Sequence, residues 1–233
     1  MKGGILVGET DMSQVIRIKC GTGNCYLVAE GKNAVLVDTG SKENLNDVIA
    51  VCDKYDIKLI LLTHTHFDHA ENAAELSSRY SVPVALHRAD DELFDDYSKQ
   101  PLLSRGMVGK AILTVSLTKL GSTKVKRPDN IIFVREGDDL KKYGIDATIL
   151  ELPGHTIGSI GLDVEGRDLI VGDALDNWVC PEKAHLFFNS DAVERSAIKI
   201  RNLGERMIWY GHGGPTRSQE VRRQSPIIRT KTL

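Results

Sequence analysis

Six short apolar runs, rich in β-branched residues, recur along the chain, and each closes on a polar residue that is often flanked by glycine. Residues 33–37 lead into Asp38-Thr39-Gly40, 58–62 into Thr63-His64, and 81–86 into His87. Residues 147–152 lead into Pro153-Gly154-His155, 167–171 into Gly172-Asp173, and 206–210 into Gly211-His212. Each run has the length and composition of a strand. Helix-like stretches lie between them at 42–55, 69–80, 90–97 and 192–203. This alternation predicts an α/β fold. In such folds ligands gather at the carboxyl ends of strands, where loops converge. Histidines and aspartates at these ends, in widely separated segments, predict one shared site.

The densest of these endings is the stretch THTHFDH, where His64, His66, Asp68 and His69 fall within six residues. A strand would send alternate side chains to opposite faces, and a helix would fan them around its axis. A tight strand-to-helix turn can instead aim His64 and His66 at one point, and Asp68 with His69 at a neighbouring one. The following segment AENAAELSSRY reads as a helix. Asp68 and His69 would then lie near its N-terminus, where the helix dipole favours the Asp68 carboxylate. A lone histidine is ordinarily a hydrogen-bonded core or surface residue. Three histidines and an aspartate after a strand point to metal binding. Imidazole and carboxylate donors without thiolate suit zinc, with iron or manganese as the other fitting ions.

The 233 residues fit one α/β domain spanning 1–233, with 220–233 as a basic tail. A net charge of −2 gives no global attraction to nucleic acid or anionic lipid. The N-terminal MKGGILVGET lacks the apolar core of a secretory signal, and no apolar stretch has membrane-spanning length. A cytoplasmic protein acting on a small molecule is expected. The tail RRQSPIIRTKTL would pack on a neighbouring subunit of a homodimer or fray into solvent. Cys20, Cys25, Cys52 and Cys180 form no C-x-x-C pair and are expected to be reduced, small buried hydrophobes.

The cluster resembles the H-x-H-x-D-H signature of the metallo-beta-lactamase superfamily. That family's later motifs follow in order: Asp38 in VDTG, His155 in PGHT, Asp173 in VGDA and His212 in YGHGG. The resemblance spans about residues 20–215 and implies a four-layer αββα sandwich of two mixed sheets, with metals at one edge between the sheets. It implies that His64, His66 and His155 hold a first ion, that Asp68, His69 and His212 hold a second, and that Asp173 bridges both. Asp38 would fix the metal loop through hydrogen bonds. His87 and His185 fall outside that ligand set.

Two divalent ions roughly 3.5–4 Å apart can share a hydroxide and bring its pKa towards neutrality, giving a nucleophile without Ser, Cys or Lys. Asp68 would also orient the attacking oxygen as a catalytic residue. The resemblance therefore implies a dinuclear metal-dependent hydrolase of a small thioester, ester or lactone. The Asp bridge and PGHT look like the glyoxalase II branch. Glyoxalase II proteins carry a helical glutathione-binding extension after the final histidine, whereas this sequence ends shortly past His212, so a glutathione thioester is not the expected substrate. A β-lactamase of this type often has a Cys at a second-metal position, which is not the pattern here. The alternatives are a mononuclear iron persulfide dioxygenase-like oxidoreductase, a phosphodiesterase, and a non-enzymatic metal-binding effector. Residues 88–139 are expected to wall the pocket, with acidic 90–96 as a solvated helix face, apolar 102–120, and basic 124–127 as a solvated loop.

Overall fold

Alternation within single strands decides the layering. In the computed structural model, which describes residues 12–218, the basic tail expected at 220–233 lies outside the described residues. Strands β1 (Gln14–Cys20), β2 (Gly23–Glu30), β3 (Asn33–Val37), β4 (Asp56–Leu61), β5 (Val84–His87) and β6 (Ile131–Val134) form one sheet in that order. Strands β7 (Ala147–Glu151), β8 (Ile160–Val164), β9 (Asp168–Gly172), β10 (Met207–Tyr210) and β11 (Thr216–Arg217) form a second, in the order β11-β10-β9-β8-β7. The α-helices among the described residues are α1 (Leu45–Cys52), α2 (Phe67–Ala70), α3 (Ala73–Tyr80), α4 (Gly106–Ser122) and α5 (Ser190–Asn202).

In β3, Ala34 and Leu36 join a core with Val48 and Cys52 of α1 and Leu76 of α3. Val35 and Val37, one step out of phase, face the second sheet. The second sheet repeats the logic in β9. Ile170 enters the inter-sheet core with Leu59, Ile149 and Leu162, while Leu169 and Val171 turn outward to Ile200 of α5. Fully burying each of these aliphatic side chains stabilises the fold by about 1.5–3 kcal/mol. The layers run α, β, β, α, the expected sandwich.

Both sheets are mixed. β3, β4, β5 and β6 pair in parallel, whereas β1, β2 and β3 pair antiparallel. In the second sheet only β9 and β10 are parallel. The register sets Val37 opposite Leu61 and Gly172 opposite Tyr210, so the segments after these strands leave from one edge. That edge is tied across the sheets. Asn24 N donates to Gly211 O at 2.9 Å, and Tyr26 Oη donates to Tyr210 O at 2.5 Å.

Two expected helices differ in the structure. The stretch 69–80 is divided between α2 and α3, because Asn72 between them donates its amide to the carbonyls of Thr39, Gly40 and Ser41. The stretch 90–97 forms 3₁₀ turns at Arg88–Phe94 and Tyr97–Lys99 instead of an exposed α-helix. Asp90, expected to be solvated, is fully buried. The apolar stretch 102–120 largely becomes α4. Among the described residues, no helix is long and apolar enough to cross a membrane.

Candidate metal centre

Strand ends deliver every donor. His64, His66, Asp68 and His69 follow β4, His155 follows β7, Asp173 follows β9, and His212 follows β10. His66 has extended backbone and caps the single turn of α2, which carries Asp68 and His69. The change from strand to turn lets four side chains of one short segment reach the same space. Three groups of donor atoms result, each with its members within 4.8 Å of one another: His64, His66 and His155; Asp68, His69 and His212; and His64, His69 and Asp173.

Asp173 stands among them. Its Oδ1 is 3.5 Å from His69 Nε2, and its Oδ2 is 3.3 Å from His212 Nε2 and 3.6 Å from His155 Nε2. Asp68 Oδ2 lies 3.4 Å from His212 Nε2 and 3.9 Å from His69 Nε2.

Three histidines are aimed from behind. His155 Nδ1 donates to Leu186 O and His212 Nδ1 to Thr22 O, both at 2.9 Å. His69 Nδ1 is 2.8 Å from Asp38 Oδ2. Each contact takes the Nδ1–H and leaves Nε2 facing the cluster as a ligand atom. Asp38 also accepts from Thr63 N and Thr63 Oγ1, each at 2.8 Å, and Thr63 Oγ1 is 3.1 Å from His64 Nδ1. Asp38 adopts a left-handed φ of 59°, a conformation that Asp tolerates better than most residues. Removing its carboxylate would leave buried donors unpaired. Asp38→Ala is expected to cost about 2–3 kcal/mol in chemical denaturation and to weaken metal binding roughly 10–100-fold in chelator competition.

Burial disfavours charge throughout the cluster. It pulls His69 and His212 down, but the carboxylates outweigh it. Asp173, Asp38 and Asp68 hold His69 up at about 9, and Asp173 with Asp68 holds His212 at about 10. Burial, then His69 and His155, push His64 well below the usual imidazole range, and burial with His155 does the same to His66. Burial alone would raise Asp173, yet the neighbouring His212 and His69 hold it well below the carboxylate range.

His64 Nε2, His69 Nε2 and Asp173 Oδ1 are buried without a hydrogen-bond partner. Leaving such atoms unmet costs about 1–3 kcal/mol each. Divalent cations would satisfy all three, and the surrounding imidazole and carboxylate donors fit them.

Several supporting residues were not singled out in the sequence. Asp90 accepts from Thr156 Oγ1 at 2.6 Å and Gly158 N at 2.7 Å, while Thr65 Oγ1 donates to Asp90 O at 2.9 Å. It thus joins the His64–His66 turn to the loop bearing His155. Burial raises its pKa. Trp178 stacks on His212 with ring centroids 4.6 Å apart. His87 lies outside the donor groups, beside Glu151 at 3.4 Å. His185 lines the pocket and pairs with Asp176 at 2.8 Å. The cysteines are free, with Cys20, Cys25 and Cys52 buried and Cys180 half-buried.

Comparison with known proteins agrees with this architecture. Residues 18–212 match the family described as the metallo-beta-lactamase superfamily. A probable metallo-hydrolase of Methanocaldococcus jannaschii is 30% identical over 204 residues, covering 82% of this chain and 87% of that protein. Hydroxyacylglutathione hydrolase GloC of Haemophilus influenzae is 28% identical over 225 residues, covering 94% and 99%. The fold is also similar to that of a protein crystallised in a di-iron-bound form, with a TM-score of 0.67 at 24% identity, covering 92% of this chain and 100% of that one.

Proposed function

We propose that this chain, which belongs to the metallo-beta-lactamase superfamily, is a dinuclear hydrolase of a small thioester, ester or lactone. The observation that carries this reading is Asp173, placed between two donor groups with one buried oxygen unpartnered. His64, His66 and His155 would hold one ion, Asp68, His69 and His212 the other, and Asp173 both. Zinc suits these donors best. When bound, the two ions supply Lewis acidity and an acidified water as nucleophile.

The chain's own residues do the positioning. Asp68 is the most exposed of the donors and lines the pocket, so its carboxylate can accept a hydrogen bond from the attacking water and hold it in line. Asp38 fixes the His69 ring through Nδ1, and Leu186 O does the same for His155. Trp178 covers one face of His212 and limits access of bulk water to it. A relative named as a hydroxyacylglutathione hydrolase, 99% of whose length is matched, supports the thioester end of the substrate range and brings a glutathione thioester back into it. Metal analysis by mass spectrometry, paired with turnover on thioesters, esters and lactones by the same preparation, tests the reading. Two ions per chain with turnover are expected. One iron per chain, with oxygen uptake on a persulfide, would overturn it.

Proton traffic offers a second check. Below pH 9 the metal-free chain keeps both His69 and His212 protonated. Ligation needs their unprotonated nitrogens, so binding must expel those protons. Loading at pH 7 is expected to release about two protons, read by calorimetry in buffers of different ionisation enthalpy. Affinity should rise with pH up to about 10, as His69 and then His212 lose their protons, and fall on acidification.

A further inference from the structure

Above the donor cluster lies a pocket of about 510 Å³, within the roughly 300–1,000 Å³ typical of small-molecule sites. His66, Asp68, His155, Asp173 and His212 lie in it, and α4 contributes Ala111, Ile112, Val115 and Leu120 to its lining. Ile112, Val115, Ser116 and Lys119 share one face at three- and four-residue spacing with Leu120 beside them, so a hydroxyl and a lysine stem interleave the apolar side chains.

This helix is poorly accounted for by the core. Only Gly109 of its 17 residues is buried. Val115 is 66% exposed although it lines the pocket, and Met107, Val108 and Leu117 are exposed as well. The approach to the helix is held at its start, where Arg105 N donates to His185 O at 2.8 Å. Apolar side chains that line a pocket continuous with the donor cluster offer a surface on which an apolar ligand can shed water. The pocket's charge adds a constraint. Outside the donor cluster, Glu43 and Lys119 carry opposite signs, and Asp176 is engaged by His185. The wall therefore offers apolar contact without a net preference for an ionised chain.

We propose that Ile112, Val115 and Leu120 of α4 form an acyl-chain subsite, and that the substrate is an ester or thioester with an uncharged, apolar acyl chain. The proposal rests on the hydrolase reading above and narrows its substrate class. Continuity with the donor cluster places the scissile carbonyl at the metals while the chain runs along the helix.

The test uses the metal-loaded enzyme and 4-nitrophenyl esters from acetyl to decanoyl, corrected for spontaneous hydrolysis. Each methylene buried is worth up to about fourfold, and partial burial along an open wall should raise kcat/KM about tenfold or more from acetyl to octanoyl. Val115→Asp and Ile112→Ser should bring that ratio to within about twofold of unity. The wild-type profile stands on its own if a variant fails to fold. Measurable acetyl turnover with a flat or falling profile would overturn the subsite and leave the hydrolase reading intact. No turnover on these esters, nor on thioesters or lactones, with two metals bound, would overturn both. A dimer that Val115→Asp dissociates in sedimentation, with the chain-length ratio unchanged, would show α4 to be covered by a second copy and also overturn the subsite.

Discussion

Replacing Asp173 with alanine is expected to lower kcat/KM by about 10³-fold or more, equivalent to about 4 kcal/mol of lost transition-state stabilisation, and to remove at least one bound metal per chain. The side chain lies within 3.6 Å of Nε2 of His69, His155 and His212, so it is the one carboxylate shared by both donor groups. Without it, the buried His212 loses its nearest negative partner and His69 loses one of three, and two cations would be brought together without the charge between them. Asp173→Asn separates charge from packing, because it keeps the volume and gives up the anion. Nearly the same loss is expected for both variants. Metal content by mass spectrometry and single-substrate kinetics on one preparation decide the matter. Two tightly bound ions with turnover within tenfold of the parent would remove Asp173 from the proposed role.

Gly211→Ala is expected to be almost as damaging, though it removes no donor. A Cβ built at Gly211 would sit 1.9 Å from Asp173 Oδ1 and 2.9 Å from His69 Cε1. His69 has no room to retreat, since it is held by Asp38 and is fully buried. The methyl group must displace the carboxylate, the strand end or both. A misplacement of about 1 Å costs on the order of 10²-fold in rate, so a fall of that size or larger is expected. Gly214→Ala makes the comparison, because a Cβ there meets only Arg17 Nη1 at 3.8 Å. It should stay within about threefold of the parent, as surface substitutions usually do. Equal activity of the two variants would mean that the Gly211 approach does not constrain the site.

The sequence carries the layered fold because each strand records both of its faces. Residues 33–37 are read as a strand and found as one with the same ends, since Ala34 and Leu36 alternate with Val35 and Val37 between two cores. The H-x-H-x-D-H segment is equally plain, because its donors are close in sequence and need only a turn to converge. His155, Asp173 and His212 are individually silent and become visible through their shared position after strands. Asp90 is different. It lies in an acidic run that local composition assigns to solvent, and its partners Thr156 and Gly158 are 66 and 68 residues away. Burial imposed by so distant a loop leaves no local pattern. The division of the helix at Asn72 has the same origin, because the carbonyls that engage its side chain belong to the turn after β3.

The donors' positions along the chain also bear on the order of events during maturation. His64 and His212 stand 148 residues apart in the chain, and the ring of His212 is set by the carbonyl of Thr22. Contacts of such long range form after the local ones, once the intervening loops have closed. A nascent chain carrying only the first sheet offers His64, His66, Asp68 and His69, a partial set without the shared carboxylate. With the proposed ligand set, full occupancy would follow docking of the second sheet, in contrast to small zinc domains that fold around their ion. A fully loaded centre would then be a record that folding has finished.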